Sequence, residues 1–287
     1  MTQHQLETGV VHTFQGSDPD DIEAFVDIIR GFYTRMRRPM PWRDEITQYR
    51  VVVSEIMLQQ TQVSRVMEKF PLFISRFPNF ISLADASLTD VLVTWQGLGY
   101  NRRAKYLHGF ARSVVNDWNG ALPADPEILV TFPGIGSATA GSITAFAFNK
   151  PVVFIETNIR RVFIHHFFAG KEKIADSEIR PLVEKTLDHG NPREWYYALM
   201  DYGTWLAGRI ENPNRKSSHY SRQSAFNGSD RQIRSSLLKK LLATKSSPLE
   251  EIIQNSEEDT QRMRRIIAGM VKEGLLCINN GIITVAE

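Results

Sequence analysis

Residues 47–63, TQYRVVVSEIMLQQTQV, carry one carboxylate, Glu55, and one cation, Arg50, in an otherwise uncharged and largely apolar stretch. Val52, Ile56 and Gln59 recur at helical spacing, as do Val51, Glu55 and Leu58, so Glu55 stands beside a buried stripe and not on a freely solvated face. An acid so placed is either ion-paired or available to give and take a proton. A second acid, Glu156, stands where the apolar run 152–155 turns into a helix through Thr157 and Asn158. Its plain role is helix N-terminal electrostatics, with Thr157 or Asn158 as the cap. Between the two lies FPGIGSATAGSITAFAF at 132–148, where Pro133, Gly134, Ile135 and Gly136 make a tight turn and Ser137 begins a run of small residues. Such a turn points backbone N–H groups outward at a helix N-terminus, where they can hold a phosphate; it can equally be plain punctuation.

The elements that position these residues read as helices. Residues 17–21 cap a helix whose apolar positions Phe25, Ile28, Ile29, Phe32 and Met36 follow the 3.6 period, and Pro39 and Pro41 end it. Helices are expected at 87–95, 101–118, 126–131, 138–148 and 195–205, the last containing Asp201, and no sustained alternation suggests a sheet in this body. Residues 212–228 are polar, basic and turn-rich, as in a loop or linker. Beyond them, helices at 231–243, 249–255 and 259–272, strands at 275–278 and 282–285 and the turn Asn279-Asn280-Gly281 make a winged helix. Gln261, Arg262, Arg264 and Arg265 lie on its third helix, which would enter a DNA major groove, with a protein-interaction or dimerisation module as the alternative.

The chain has 287 residues, 42% hydrophobic and 23% charged, which suits a soluble protein of two domains. A flexible N-terminus over 1–20, a main domain over 21–228 and a terminal module over 229–287 are expected. No run approaches a membrane span and no signal peptide is visible, so the cytoplasm or nucleoid is the expected location. Cys277 is the only cysteine, which excludes an intramolecular disulfide and any multi-cysteine metal site. The net charge of +2 is uninformative, but nine basic residues between Arg209 and Lys245 face only Glu211 and Asp230, as on a solvated basic face or a surface that tracks phosphates.

Six motifs together carry a resemblance: PMPWR at 39–43, SEIMLQQTQV at 54–63, WQGLGY at 95–100, FPGIGSATAGSI at 132–143, TNIRRV at 157–162 and ALMDYG at 198–203. In order and spacing they resemble the helix-hairpin-helix DNA glycosylases, and most look like the MutY-type adenine DNA glycosylases, over about residues 21–210. The resemblance implies an all-α, two-lobed fold around a cleft that receives a flipped nucleotide, since the reacting atoms are hidden in a stacked duplex. It implies Glu55 as general acid and base, a role that a partly apolar setting suits by favouring the protonated carboxyl. Glu156 would stabilise the oxocarbenium-like sugar and Asn158 would orient water or backbone. Trp42, Arg43 and Asp201 would lie at the base pocket, Gln59 and Gln60 would fill the vacated stack, Tyr100 would contact DNA, and residues 133–137 would grip a phosphate; Arg262 and Arg265 are the DNA contacts expected of the winged helix.

The departures are as specific. Glu156 stands where the family has an aspartate, and Ala138 stands where bifunctional relatives have a lysine, so no Schiff base and no strand cleavage are expected. The family's four cysteines are missing from GRIENPNRKSSHYSRQ at 208–223. A clusterless member is implied, with no cofactor and at most a monovalent cation at the hairpin. The winged helix takes the place of the usual domain that reads 8-oxoguanine. The expected function is monofunctional hydrolysis of the N-glycosidic bond of adenine mispaired with guanine or 8-oxoguanine, by a monomer acting on double-stranded DNA. The alternatives are a glycosylase for mispaired thymine, uracil or an altered purine, and a non-catalytic DNA-damage-binding protein.

Overall fold

A computed structural model describes residues 13–222, 225–256 and 258–286. Residues 1–12 of the expected flexible N-terminus lie outside these; Phe14 is within them and its N–H donates to the carbonyl of His166. The described chain forms two compact units, one of residues up to Gln48, Ala124–Val130 and Gly136–Arg222, the other of Tyr49–Pro123, Thr131–Ile135 and the residues after Arg222. These cuts differ from the expected boundary near 228, and the terminal module shares its unit with helices from the first half of the chain. Among the described residues no helix is long and apolar enough to cross a membrane.

The first unit is built on α1 (Pro19–Met36), α2 (Pro41–Asp44), α8 (Pro126–Leu129), α9 (Ser137–Phe148), α10 (Thr157–Phe167), α11 (Asp176–Thr186) and α12 (Pro192–Ala207). Asp18 caps α1 through the N–H of Asp20, Pro19 needs no partner at the first helical position, and Phe25, Ile29, Phe32 and Tyr33 form its buried face. Phe25 meets the rings of Phe163, Phe167 and Trp195, so α1, α10 and α12 share one aromatic core. Residues 213–217 of the turn-rich basic segment are held within this unit. Pro213 and Asn214 are buried in a short 3-10 turn, Pro213–Lys216, and Ile174 pairs with Ser217 in an isolated parallel bridge.

The second unit holds α3 (Gln48–Leu58), which enters it at Tyr49, with α4 (Val63–Arg76), α5 (Phe80–Ala84), α6 (Leu88–Trp95) and α7 (Arg102–Asp117). Its core joins Phe73, Phe80, Trp95 and Phe110, all buried. The terminal module adds α13 (Asp230–Thr244), β1 (Ser246–Pro248), α14 (Leu249–Gln254), α15 (Thr260–Lys272), β2 (Leu276–Asn279) and β3 (Ile282–Val285). The strands form one antiparallel sheet in the order β1-β3-β2. The hairpin strand begins one residue later than expected, because the turn uses only Asn280 and Gly281, at φ 51° and 76°, the left-handed pair that a two-residue hairpin requires. The short strand β1 was not expected.

Candidate active site

In the second unit, Glu55 is half-buried on α3 between the buried Ser54 and Ile56. The end of that helix is held by Arg103. Its Nη1 donates to the carbonyls of Ile56 and Met57, both at 2.8 Å, and its Nη2 to Thr61 Oγ1 at 2.8 Å and to the carbonyls of Leu98 and Gly99 at 3.2 Å. One guanidinium thus closes the C-terminus of α3 and ties the 59–61 turn to the 98–100 loop, the placement that a helix dipole favours for a cation. Burial pushes its pKa down to about 10, which leaves it charged at neutral pH. Gln60 and Tyr100 both take left-handed backbone, at φ 54° and 46°. Two non-glycine residues in that region mark bends that their surroundings hold in place.

The hairpin is seated on α7. Phe132 packs on Phe110 with ring centroids 4.5 Å apart, and Ile135 donates its N–H to the carbonyl of Phe132. Gly134 sits at φ 76°, and a Cβ there would overlap the Tyr106 ring, so glycine is required twice over. Gln59 Nε2 donates to the Gly134 carbonyl at 3.4 Å, linking the residues after α3 to the turn. Pro133 and Gly134 are exposed and Ile135 is buried. Next along the chain, Gly136 opens α9 with no side chain to cap it, and Ser137 is its exposed first residue. An anion can serve in place of such a cap.

In the first unit, Glu156 is itself the N-cap of α10, where Thr157 or Asn158 was expected. Its Oε1 accepts from the N–H groups of Asn158 at 2.6 Å and Ile159 at 2.8 Å, and its Oε2 accepts from Asn158 Nδ2 at 3.2 Å. One glutamate thus satisfies two of the orphan donors at the start of α10. Asn158 Oδ1 in turn accepts from Arg161 Nη1 at 2.7 Å, and the same Nη1 donates to the Gly203 carbonyl at 2.8 Å. Burial raises the Glu156 pKa, opposed by the backbone N–H groups of Ile159 and Asn158 and by the Arg161 and Arg160 charges. Asn214 Nδ2 donates to the Thr157 carbonyl at 3.0 Å, so the segment 209–222 braces the first turn of α10.

Arg43 and Asp201 form a buried pair. Asp201 Oδ2 accepts from Arg43 Nη1 at 2.9 Å and the Arg38 backbone N–H at 3.0 Å, and Oδ1 accepts from Arg43 Nη2 at 3.0 Å and Arg38 Nε at 2.8 Å. The Arg43 guanidinium also lies 4.1 Å from the centroid of the Tyr197 ring, and Trp42 is buried beside it in sequence. The carboxylate is fully engaged in tying the 38–43 segment to α12. Arg262 is likewise engaged, with Glu258, Asp230 and the Gly228 carbonyl, and Arg265 lies 3.7 Å from Asp230.

Thus Glu55, Gln59, Gln60, Tyr100 and 133–135 belong to one unit, and Glu156, Asn158, Trp42, Arg43, Asp201, Gly136 and Ser137 to the other. Sequence reasoning missed Arg103, Arg161 and Asn214 as site-building residues. Arg103 lies two residues after WQGLGYN and Arg161 lies inside TNIRRV, so motif proximity was the available signal; Asn214 had none.

Comparison with known proteins gives a consistent result. The family model described as HhH-GPD superfamily base excision DNA repair protein matches residues 53–188. The adenine DNA glycosylase of Mycobacterium tuberculosis is 36% identical over 232 residues, which cover 74% of this chain and 76% of that one. The adenine DNA glycosylase of Mus musculus is 32% identical over 211 residues, covering 69% of this chain and 41% of that one. Among solved structures, a thermostable thymine-DNA glycosylase aligns with TM-score 0.56 at 24% identity, covering 63% of this chain and 85% of that chain. A trapped endonuclease III–DNA covalent intermediate aligns with TM-score 0.55 at 14% identity, covering 65% and 86%.

Proposed function

This chain belongs to the HhH-GPD superfamily of base excision DNA repair proteins, and within it we propose monofunctional excision of adenine mispaired with guanine or 8-oxoguanine. It is an adenine DNA glycosylase by kinship with the relatives of that name. The observation that carries the chemical reading is the fixed carboxylate of Glu156, held by two N–H groups of α10 and by Asn158, whose own carbonyl is locked by Arg161.

Glu55 protonates the departing purine and then helps to activate water. Glu156 supplies negative charge to the oxocarbenium-like sugar; burial raises its pKa, and the N–H groups of Ile159 and Asn158 oppose that rise by favouring the charged form. Asn158 sets the orientation of the acid and of water. No lysine follows the hairpin, since Ala138 occupies that position, so water is the nucleophile and no Schiff base forms. No cofactor enters these steps. The hairpin carbonyls, of which those of Phe132 and Gly134 accept from Ile135 and Gln59, supply hard oxygen donors suited to a monovalent cation beside a phosphate. The terminal module, with β1 between α13 and α14 and a closing hairpin, is read as a winged helix, and the protein acts as a monomer.

The test is incubation with duplexes that carry adenine opposite guanine or 8-oxoguanine. Breaks that appear only after alkali are expected. Absence of excision on both, with excision of another base in a lesion panel, refutes the adenine assignment; breaks without alkali refute the monofunctional one.

A further inference from the structure

The terminal module is fastened to the chain around the 98–100 loop, within the second unit. Glu273, which follows α15, accepts from Arg234 on α13 and lies 3.8 Å from Arg102, and its carbonyl accepts from Lys105 Nζ at 2.6 Å. These contacts seat the module on the first turn of α7, directly after the loop. From α13, Arg231 Nη1 donates to the Tyr100 hydroxyl at 2.5 Å and Nη2 to the Ala225 carbonyl at 3.4 Å. The Arg231 guanidinium lies 5.5 Å from the Tyr100 ring centroid, and so does that of Arg103. One tyrosine side chain thus meets two cations, one from α7 and one from the module.

The loop needs such support. Gly99 and Tyr100 both take left-handed backbone, at φ 69° and 46°, and Tyr100 carries a side chain that this region disfavours. A bend of this kind persists where its surroundings over-determine it. The Gly99 carbonyl accepts from Trp95 Nε1 at 3.1 Å and from Arg103 Nη2 at 3.2 Å, which fixes the loop's backbone from α6 and α7. Arg231 fixes its side chain from the module. The Arg103 that takes the loop carbonyls also takes those of Ile56 and Met57, the residues directly after Glu55. A shift of the loop therefore moves the guanidinium on which the end of α3 depends.

We infer that Arg231 is a positioning residue: through the Tyr100 hydroxyl it sets the 98–100 loop, and through Arg103 the end of α3 that carries Glu55, so that the terminal module serves the excision step itself. The inference rests on the glycosylase reading for the reaction that it serves. The experiment measures single-turnover excision by the full chain at saturating duplex, with saturation set for each variant from its affinity for a duplex with one tetrahydrofuran abasic-site analogue. Arg231→Gln should slow excision about tenfold, short of the roughly hundredfold that a 1 Å misplacement can cost. Tyr100→Phe should slow it as much, and the two together no more than either alone, whereas independent losses multiply. Arg231→Lys, which keeps a donor for the hydroxyl, should recover most of the rate. Backbone hydrogen exchange of the free protein at Thr61, Leu98 and Arg103 should quicken in Arg231→Gln. Ile267→Val, in the buried core of the module, should lower the melting temperature with neither effect. Losses that multiply in the double variant, or an unchanged rate in Arg231→Gln, overturn the inference. Should Arg231→Gln not fold, Tyr100→Phe decides it, with exchange and rate both unchanged as the overturning result. A wild type that excises no adenine while the exchange effect persists fails only the glycosylase reading; excision with exchange and rate unmoved fails only the positioning role.

Discussion

Gly203 on α12 lies so close to Asn158 on α10 that a Cβ at 203 would stand 2.7 Å from both the Cβ and the carbonyl oxygen of Asn158. Alanine in mid-helix normally stabilises by about 1 kcal/mol over glycine. Here overpacking, which costs about 1–3 kcal/mol, opposes that gain and adds a displaced Asn158. Gly203→Ala should therefore lower the melting temperature and slow excision together; a raised melting temperature with unchanged excision refutes the tight fit.

Glu55→Gln keeps the size of the side chain and removes its proton chemistry. Single-turnover excision should fall by about a hundredfold or more, the range of general acid–base contributions. Affinity for the tetrahydrofuran duplex should stay within a few-fold. Intact excision would remove Glu55 from the mechanism.

Glu156 gives a pH signature. Its folded pKa is raised by burial, so the carboxylate needed for catalysis forms only above the ordinary glutamate value of about 4.3. The acid limb of excision should lie above that value and should vanish in Glu156→Gln, with overall loss. The stability sign is opposite: the contribution of Glu156 is present below about 4.3 and is lost as pH rises through its raised value. Glu156→Asp withdraws the carboxylate from Ile159 and should cost about ten- to a hundredfold in rate. A gain in rate would mean that the longer side chain weakens catalysis.

Arg103→Lys retains a charge but not the fork that reaches carbonyls on both sides of the 59–61 turn. The loss should be on the order of 3 kcal/mol, since hydrogen bonds to charged groups contribute about 1.5–3 kcal/mol each. Denaturant unfolding reads it directly. A lysine variant as stable as the wild type would mean that the α3 terminus does not depend on this fork.

Helix periodicity and a closing hairpin near Asn280–Gly281 were legible in the sequence because both are local, although the turn is one residue shorter than the Asn279-Asn280-Gly281 that was expected. Glu55 stood out for the same reason, as one acid in an apolar segment. What escaped was set by distant partners. Arg161 acquires its place from Gly203, 42 residues away, and Asn214 from Thr157, 57 residues away. Strand β1 has only three residues and exists through its ladder with β3. The basic run 209–245 looked open for phosphate because Asp230 and Glu211 were its only acids; the fold sets Asp230 against Arg262, and Arg215 against Glu211. The division into units cuts the hairpin between Ile135 and Gly136, which no composition shift marks.

The brace from Asn214 to Thr157 also bears on the timing of synthesis. A nascent chain that has emerged as far as α12 already contains both carboxylates, the hairpin and Gly203, yet the carbonyl at the first turn of α10 still waits for a residue not yet translated. Domains fold as units while they leave the ribosome. A chain that ends before residue 214 therefore carries every chemical group of the site and the local cap of α10, but lacks this one brace on its first turn.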